Sequence, residues 1–164
     1  MVNIVSATMK KMIEYFDGDV KRINHALKVY GFAKSIGELE NIPEEKLKIL
    51  EAAAILHDIG IKESERKYSS SAGKYQEIEG PPIACDILQE FILSKDFLDR
   101  VCYLIGNHHT YSKIDDIDFQ ILVEADFLVN IFEDGMEKEQ IKTIKQKYFK
   151  TNTGLCYLDS MYCK

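Results

Sequence analysis

The sequence has 164 residues, of which 46% are hydrophobic and 29% are charged, a balance that fits one folded domain and excludes a disordered chain. Its 21 Lys and Arg residues against 27 Asp and Glu residues give a net charge of −6, which argues against binding to duplex nucleic acid. The longest apolar run, Ala52 to Leu56, is far shorter than the ~18 residues that a membrane span needs, and residues 1–11 lack the pattern of a secretory signal, so we expect a cytoplasmic protein.

The first 60 residues have the apolar spacing of three helices. The first helix is predicted over residues 1–16, and the second over residues 19–39, where Asp19 can cap the free backbone N–H groups of the first turn. The third is predicted between Pro43 and Gly60, with Gly60 as its end. Residues 61–76 show no apolar period and are predicted to form a loop.

Four features organise the second half of the chain. Pro81 and Pro82 are expected in the first turn of a helix, where a missing backbone N–H costs little. Ser94 is predicted to cap a helix that runs toward His108, and Asp115 or Asp116 to begin another that ends at Gly135. The last predicted helix covers residues 138–149, before a tail rich in Thr, Asn, Tyr and Cys. Since no alternating strand pattern appears, the sequence predicts an all-α fold.

One aspartate occupies a position where a helix should bury apolar side chains. Phe119, Leu122, Asp126 and Val129 follow one another at intervals of three or four residues and therefore share a helix face. A buried, unpaired carboxylate would cost several kcal/mol or take up a proton. Asp126 therefore needs a cation, a metal ion or hydrogen-bond donors beside it.

The four histidines of the chain occupy similar inward-facing positions. His25 shares a face with apolar residues, His57 and Asp58 follow the most apolar helix, and His108 and His109 lie at the inner end of theirs. Each alone is more often a satisfied core residue, and a buried Asp is often paired with Arg. Together they would be hard to satisfy by one another, whereas a divalent metal ion satisfies imidazole and carboxylate ligands at once.

In this order and on a helical chain, His25, the His57-Asp58 pair and Asp126 resemble the HD-domain superfamily of metal-dependent phosphohydrolases. The resemblance covers residues 20–132 approximately. It implies a single-domain helical bundle over residues 1–164 with a central metal site, in which these four residues bind the metal ion and C-terminal helices lie within residues 136–164. It also implies a hydrolase acting on ester bonds, which cleaves a phosphate mono- or diester of a small nucleotide-like molecule with metal-activated water that Asp58 holds as the catalytic residue.

A second metal ion is left open. The His108-His109 pair resembles the additional histidines of binuclear members, but Gln76 stands where such members commonly have another His. If it binds no metal ion, His108 or His109 could instead donate a hydrogen bond to the substrate phosphate or leaving group. Glu77 could bridge or bind a metal ion, although it is expected before the start of its helix, and Glu79 is expected to point to solvent. The sequence therefore predicts one or two divalent ions from among Mn, Fe, Mg, Co, Ni and Zn, without choosing between them.

Cations in the predicted loop are candidates for binding the substrate phosphate, because phosphoryl transfer needs charge neutralisation beyond the metal ion. Lys62 and Arg66 lie nearest to the His-Asp pair and are the first choice, although a solvated loop of alternating charges explains them equally well. Tyr111 and Lys113 could line the same opening. The expected partner is a small phosphorylated molecule, with no duplex nucleic acid and no membrane, and the oligomeric state is open. Two alternatives remain: a non-enzymatic, metal-stabilised regulatory or binding module, and a di-iron oxygenase of the same fold.

Overall fold

The structure is a computed structural model that describes residues 2–164. These residues form nine α-helices and one short 3₁₀ turn, Tyr111–Lys113. The helices are α1 (Ile4–Phe16), α2 (Val20–Leu39), α3 (Glu44–Leu56), α4 (Ile61–Tyr68), α5 (Gly73–Leu88), α6 (Lys95–Asn107), α7 (Ile117–Glu133), α8 (Lys138–Tyr148) and α9 (Asn152–Tyr162). Since these residues include no strand, the predicted all-α fold is confirmed.

Helices α3 and α7 form the centre of the molecule. The second half of α3, from Leu50 to Leu56, is buried on every side, and α7 is buried from Ile121 to Val129. A helix that is apolar all round needs neighbours all round. Helix α2 packs against both, α6 packs against α3, and α5 packs between α4 and α6. The second turn of α2, the middle of α7 and the C-terminal end of α3 therefore meet inside the protein.

The predicted N-terminal caps are confirmed. The side chain of Asp19 accepts a hydrogen bond from the backbone N–H of Arg22 at 3.3 Å. That of Ser94 accepts one from the N–H of Phe97 at 3.1 Å. The next long helix begins after Asp116 rather than after Asp115. Each cap satisfies a backbone donor that has no partner within its own helix.

The prediction of a loop over residues 61–76 is wrong, because α4 and the first turn of α5 occupy most of it. Pro81 and Pro82 accordingly lie inside α5 rather than in its first turn, and Glu77 lies within the helix. The two prolines deprive α5 of two backbone hydrogen bonds. The packing of α5 against α4 and α6 stabilises the helix in spite of this loss.

Glu79 does not point to solvent, contrary to the sequence prediction. It is buried, and its carboxylate accepts hydrogen bonds from Lys67 Nζ at 2.9 Å and from the hydroxyl of Tyr68 at 3.0 Å. Both partners lie on α4. Because the polar residues of this segment form a helix and not a loop, they cover a face of α5 that the sequence pattern left exposed.

Gly60 does not end α3 as predicted, because α3 already ends at Leu56. A Cβ atom at this position would lie 2.5 Å from the backbone nitrogen of Gly80, closer than any side chain allows. The backbone at Gly60, two residues after Asp58, therefore packs directly against the backbone at Gly80 in the middle of α5.

The C-terminal tail, for which the sequence pattern defined no separate helix, contains α9. Helix α9 packs against α2, α7 and α8, so the tail belongs to the bundle. Among the described residues, every helix is too short or too polar to cross a membrane.

Candidate metal centre

Four side chains from three parts of the bundle converge on one point. His25 lies in the second turn of α2, His57 and Asp58 follow the last turn of α3, and Asp126 lies in the middle of α7. His25 Nε2 lies 3.1 Å from His57 Nε2, 3.2 Å from Asp126 Oδ1 and 3.3 Å from Asp58 Oδ2. The structure thus brings together all four residues that the sequence selected as metal ligands.

The other nitrogen of each imidazole ring fixes which atoms face the centre. His57 Nδ1 lies 2.7 Å from the carbonyl oxygen of Ala54, to which it donates a hydrogen bond. His25 Nδ1 lies 2.5 Å from Glu133 Oε1 and donates to that carboxylate. In a neutral imidazole only one nitrogen carries a hydrogen, so both Nε2 atoms present lone pairs to the centre.

These lone pairs face one another and two carboxylates, which is unfavourable unless a cation lies among them. His57 Nε2 is 3.5 Å from Asp58 Oδ2 and 3.4 Å from Asp126 Oδ1. Ligand atoms bound at right angles, ~2.1 Å from one metal ion, would lie ~3.0 Å apart. The spacing and the chemistry of these atoms therefore fit a divalent metal ion, and the cluster could hold one.

The charges of the cluster show what such an ion must displace. Burial opposes a positive charge on His25, but Asp126, Asp58 and Glu133 outweigh it and raise the pKa of His25 to about 9. Burial likewise opposes protonation of His57, whose pKa the same two aspartates nevertheless raise. The histidines hold the pKa of Asp58 and that of Asp126 below the ordinary value, against the effect of burial. A binding metal ion thus takes over the positive charge that protons supply in its absence.

Asp58 faces a second group of possible ligands with its other oxygen. His108 Nδ1 donates to the carbonyl of Ile105 at 2.7 Å, and the buried Nε2 of His108 has no hydrogen-bond partner. That Nε2 atom lies 3.3 Å from Asp58 Oδ1. Asp58, His108 and His109 offer ligand atoms within 4.8 Å of one another. The two oxygens of Asp58 therefore face two separate groups of imidazoles, as a bridging carboxylate would.

The structure places the remaining second-site candidates beside this group. Glu77 accepts hydrogen bonds from the backbone N–H of His109 at 3.0 Å and from the hydroxyl of Thr110 at 2.9 Å, so its carboxylate fixes the turn after α6. Gln76 donates to the carbonyl of Ser71 at 2.6 Å, and its Oε1 lies 3.5 Å from His109 Nε2. Neither belongs to the two groups that could hold an ion.

Two supporting residues escaped the sequence analysis, although they share a helix face with Asp126. Asn130 lies one turn later on α7 and donates to Asp126 Oδ1 at 3.0 Å. Glu133 lies two turns later and orients His25. The spacing i, i+4, i+7 from Asp126 was a signal that could have identified both residues.

The cluster forms the floor of an open cavity of about 570 Å³, which we call the first cavity. Two cations, Lys21 and Arg22, line it, together with five carboxylates: Asp19, Asp58, Asp126, Glu133 and Asp134. The guanidinium of Arg22 is held by Asp19 at 3.1 Å and by Glu65.

Lys62 and Arg66, the cations chosen from the sequence, do not line this cavity. Lys62 Nζ contacts the carbonyl of Tyr15 at 3.4 Å, and Arg66 Nε donates to Glu63 at 2.9 Å. Tyr111 lines a neighbouring cavity, and Lys113 lines neither of the two. Lys21 and Arg22, which lie about one turn before His25 on α2, are not among the cations that the sequence pattern indicated.

Comparison with known proteins places these observations in a family. A family model described as HD domain matches residues 22–150. Among solved structures, the crystal structure of a "predicted HD superfamily hydrolase" from an uncultured Thermotogales bacterium aligns with a TM-score of 0.66 and 20% sequence identity, over 98% of this chain and 83% of that chain. At this identity the likeness concerns the fold. The search of curated proteins found no match.

Proposed function

Because the chain belongs to the HD domain family, we propose that it is a metal-dependent phosphohydrolase that cleaves a phosphate mono- or diester of a small nucleotide-like molecule. One observation carries this proposal: the Nε2 atoms of His25 and His57 lie 3.1 Å apart and within 3.5 Å of carboxylate oxygens of both Asp58 and Asp126, beside an open cavity. This arrangement suits a divalent ion with positions left for water and a phosphate oxygen.

When bound, a divalent ion supplies electrophilic stabilisation of the phosphate and a water molecule with a pKa far below ~15.7. The protein's own residues supply orientation. Asp58, whose pKa is lowered, is ionised and can accept a hydrogen bond from the attacking water. Burial, and after it the neighbouring His108, lower the pKa of His109 to about 4. His109 is therefore a neutral imidazole. Since it also lines the first cavity, it can donate a hydrogen bond to the substrate or accept one from it.

Arg22 and Lys21 are the cations that we assign to the substrate phosphate. They line the same cavity as the cluster, and Asp19 and Glu65 hold the guanidinium of Arg22 in place. These bonds use Nη1 and one N–H of Nη2, so Nε and the other N–H of Nη2 remain available to bind two phosphate oxygens with little further loss of side-chain freedom. Lys62 and Arg66, the cations chosen from the sequence, would first have to leave their present contacts with Tyr15 and Glu63.

The proposal is tested by removing the metal ion with a chelator and reloading the protein with each candidate divalent ion. Metal content is measured by elemental analysis, and turnover with a panel that includes p-nitrophenyl phosphate and nucleotides. We expect metal-dependent hydrolysis, and we expect His57→Ala and Asp58→Asn to lose both metal and turnover. Asp159→Asn serves as the control, since Asp159 is an exposed partner of Lys145 far from the cluster in sequence.

Three outcomes would contradict the proposal. Full activity without a metal ion would exclude the mechanism. A protein that binds metal but hydrolyses nothing in the panel would support the non-enzymatic binding module. Oxygen consumption that depends on iron would support the di-iron oxygenase.

A further inference from the structure

A second cavity, of about 680 Å³, shares His109 with the first. Its wall is formed by the turn that follows α6 and by the C-terminal end of α8. Besides His109, the residues that line this cavity include Tyr111, Gln120, Lys147, Tyr148 and Lys150. Gly73 leaves the space that the ring of His109 occupies, since a Cβ atom at this position would lie only 2.7 Å from His109 Cδ2.

The charge of this second cavity is opposite to that of the first. No carboxylate lines it among the described residues, although the chain as a whole is acidic. Lys147 and Lys150 are exposed, and neither forms an ion pair within the part of the chain that the structure describes. Lys147 lies in the last turn of α8, where a cation also stabilises the helix dipole. Lys150 lies beyond the helix end, so this explanation does not extend to it.

Aromatic packing makes the wall of the second cavity rigid. The rings of Tyr111 and Tyr148 lie 4.5 Å apart between centroids, and Phe127 stacks on Tyr148 at 5.2 Å with an angle of 15°. Gln120 Nε2 donates to the carbonyl of Tyr148 at 2.7 Å and so ties α7 to the end of α8. The two tyrosines therefore hold a fixed position in the wall that the lysines and His109 also line, and little ordering of this wall is needed when a ligand binds.

We propose that the second cavity binds a second phosphate group of the substrate, on the side of the scissile phosphate that faces His109. The inference rests on the proposed function and specifies its substrate class: an ester or anhydride that carries at least two phosphate groups. Two unpaired cations provide charge-assisted hydrogen bonds to such a group, and the shared His109 makes the two cavities neighbours. A simple monoester would occupy the first cavity and leave the lysines unused.

The test measures binding separately from turnover. ADP carrying a fluorescent N-methylanthraniloyl group is titrated into the full chain with a chelator present, and the dissociation constant is compared between wild type and Lys147→Gln/Lys150→Gln. We expect binding of the double variant to weaken by about tenfold or more, since each lost charged hydrogen bond contributes approximately that factor. Lys147→Arg/Lys150→Arg should keep most of the affinity.

The matched control is Lys138→Gln/Lys142→Gln, which removes the same charge from two exposed positions of α8 that do not line the cavity. It should change the dissociation constant by less than about twofold. Circular dichroism verifies that each variant is folded. The inference is overturned if Lys147→Gln/Lys150→Gln binds the labelled ADP like wild type. It is also overturned if this variant changes the dissociation constant no more than the control variant does.

A parallel assay separates this failure from that of the proposed function. Metal-dependent hydrolysis of p-nitrophenyl phosphate, which has one phosphate group, is measured with the wild-type protein. If wild type hydrolyses this ester and binding of the labelled ADP is unchanged in Lys147→Gln/Lys150→Gln, only the inference fails. If no ester is hydrolysed by the wild-type protein with any metal ion, the proposed function fails and the assignment of the cavity to a substrate fails with it.

Discussion

The two cavities on either side of His109 differ in the sign of the charge that they can bind. The first has five carboxylates against Lys21 and Arg22, whereas the second has Lys147 and Lys150 and no carboxylate among the described residues. Without a metal ion the first cavity would repel a phosphate group. The second needs no ion to attract one. Metal binding and anion binding are therefore separable properties of this protein, and variants should be able to change one without the other.

The largest expected effect is that of Asp126→Asn. Asp126 Oδ1 lies 3.2 Å from His25 Nε2 and 3.4 Å from that of His57, so the substitution removes a ligand charge from the centre of the cluster. We expect metal affinity to fall by more than about 100-fold, beyond the effect of losing a supporting partner, and turnover to fall with it. Elemental analysis and kcat measure both.

The control for this variant is Asp134→Asn, which alters a carboxylate of the same cavity outside the cluster. Binding of the labelled ADP in the presence of a chelator should persist in Asp126→Asn. If that binding disappears together with the metal ion, the two cavities do not act separately and the comparison fails.

Asp126 shows how far sequence reasoning reaches in this protein. A single carboxylate within an apolar stripe is visible as a break in helical periodicity, and the same reasoning placed His25 and His57 inside the bundle. The positions of α2, α3, α6 and α7 could be predicted because these helices bury a continuous apolar face. Those four helices, with the turns after α3 and α6, provide the ligands of both groups.

Helices α4 and α5 show where that reasoning ends. Helix α4 is mostly polar and α5 contains two prolines, so neither has a local signal for a helix, and their packing against each other and against α6 decides their structure. Because the sequence predicted a loop where α4 lies, it also indicated the wrong cations for the first cavity. Lys62 and Arg66 are close to Asp58 in sequence, but the helix turns them toward Tyr15 and Glu63. Proximity along the chain did not predict proximity in space.

A smaller effect is expected from Glu133→Gln, because Glu133 supports a ligand without being one. Its carboxylate accepts the hydrogen of His25 Nδ1 at 2.5 Å, which directs the Nε2 lone pair to the centre. Glutamine keeps an acceptor and loses the charge. We expect metal affinity to fall by about tenfold, the lower end of the range for such partners, as measured by competition with a chelator. Wild-type affinity would show that burial alone orients His25.

Arg22→Gln tests the anion-binding part of the first cavity. Metal content should stay the same, since Arg22 belongs to neither ligand group. We expect kcat/KM for p-nitrophenyl phosphate to fall by about tenfold, the loss of one charged hydrogen bond. Arg22→Lys should restore part of it. If Arg22→Gln has no effect but Lys62→Gln lowers kcat/KM, the cation chosen from the sequence is the one that binds phosphate.

The smallest effect is expected on stability, from the carboxylate that lies behind the second cavity. Glu124 is buried and accepts hydrogen bonds from Gln120 Nε2 at 2.9 Å, from the hydroxyl of Thr151 at 3.0 Å and from its backbone N–H at 3.2 Å. Burial nevertheless dominates and raises the pKa of Glu124 from 4.5 to about 7. The pKa values of Asp58 and Asp126, in the first cavity, are shifted in the opposite direction, because the neighbouring histidines outweigh burial there.

A raised pKa means that the folded protein binds this proton more tightly than the unfolded chain does. The stabilisation is complete below pH 4.5 and is lost as the pH rises through 7. Glu124→Gln removes the titration while keeping an acceptor for Thr151. Between pH 5 and 8, we expect the melting temperature of wild type to fall by a few degrees relative to that of the variant, as measured by circular dichroism at constant metal content. Parallel curves would mean that the hydrogen bonds from Thr151 and Gln120 keep Glu124 ionised throughout, in which case both cavities are supported by charged carboxylates and differ only in the groups that line them.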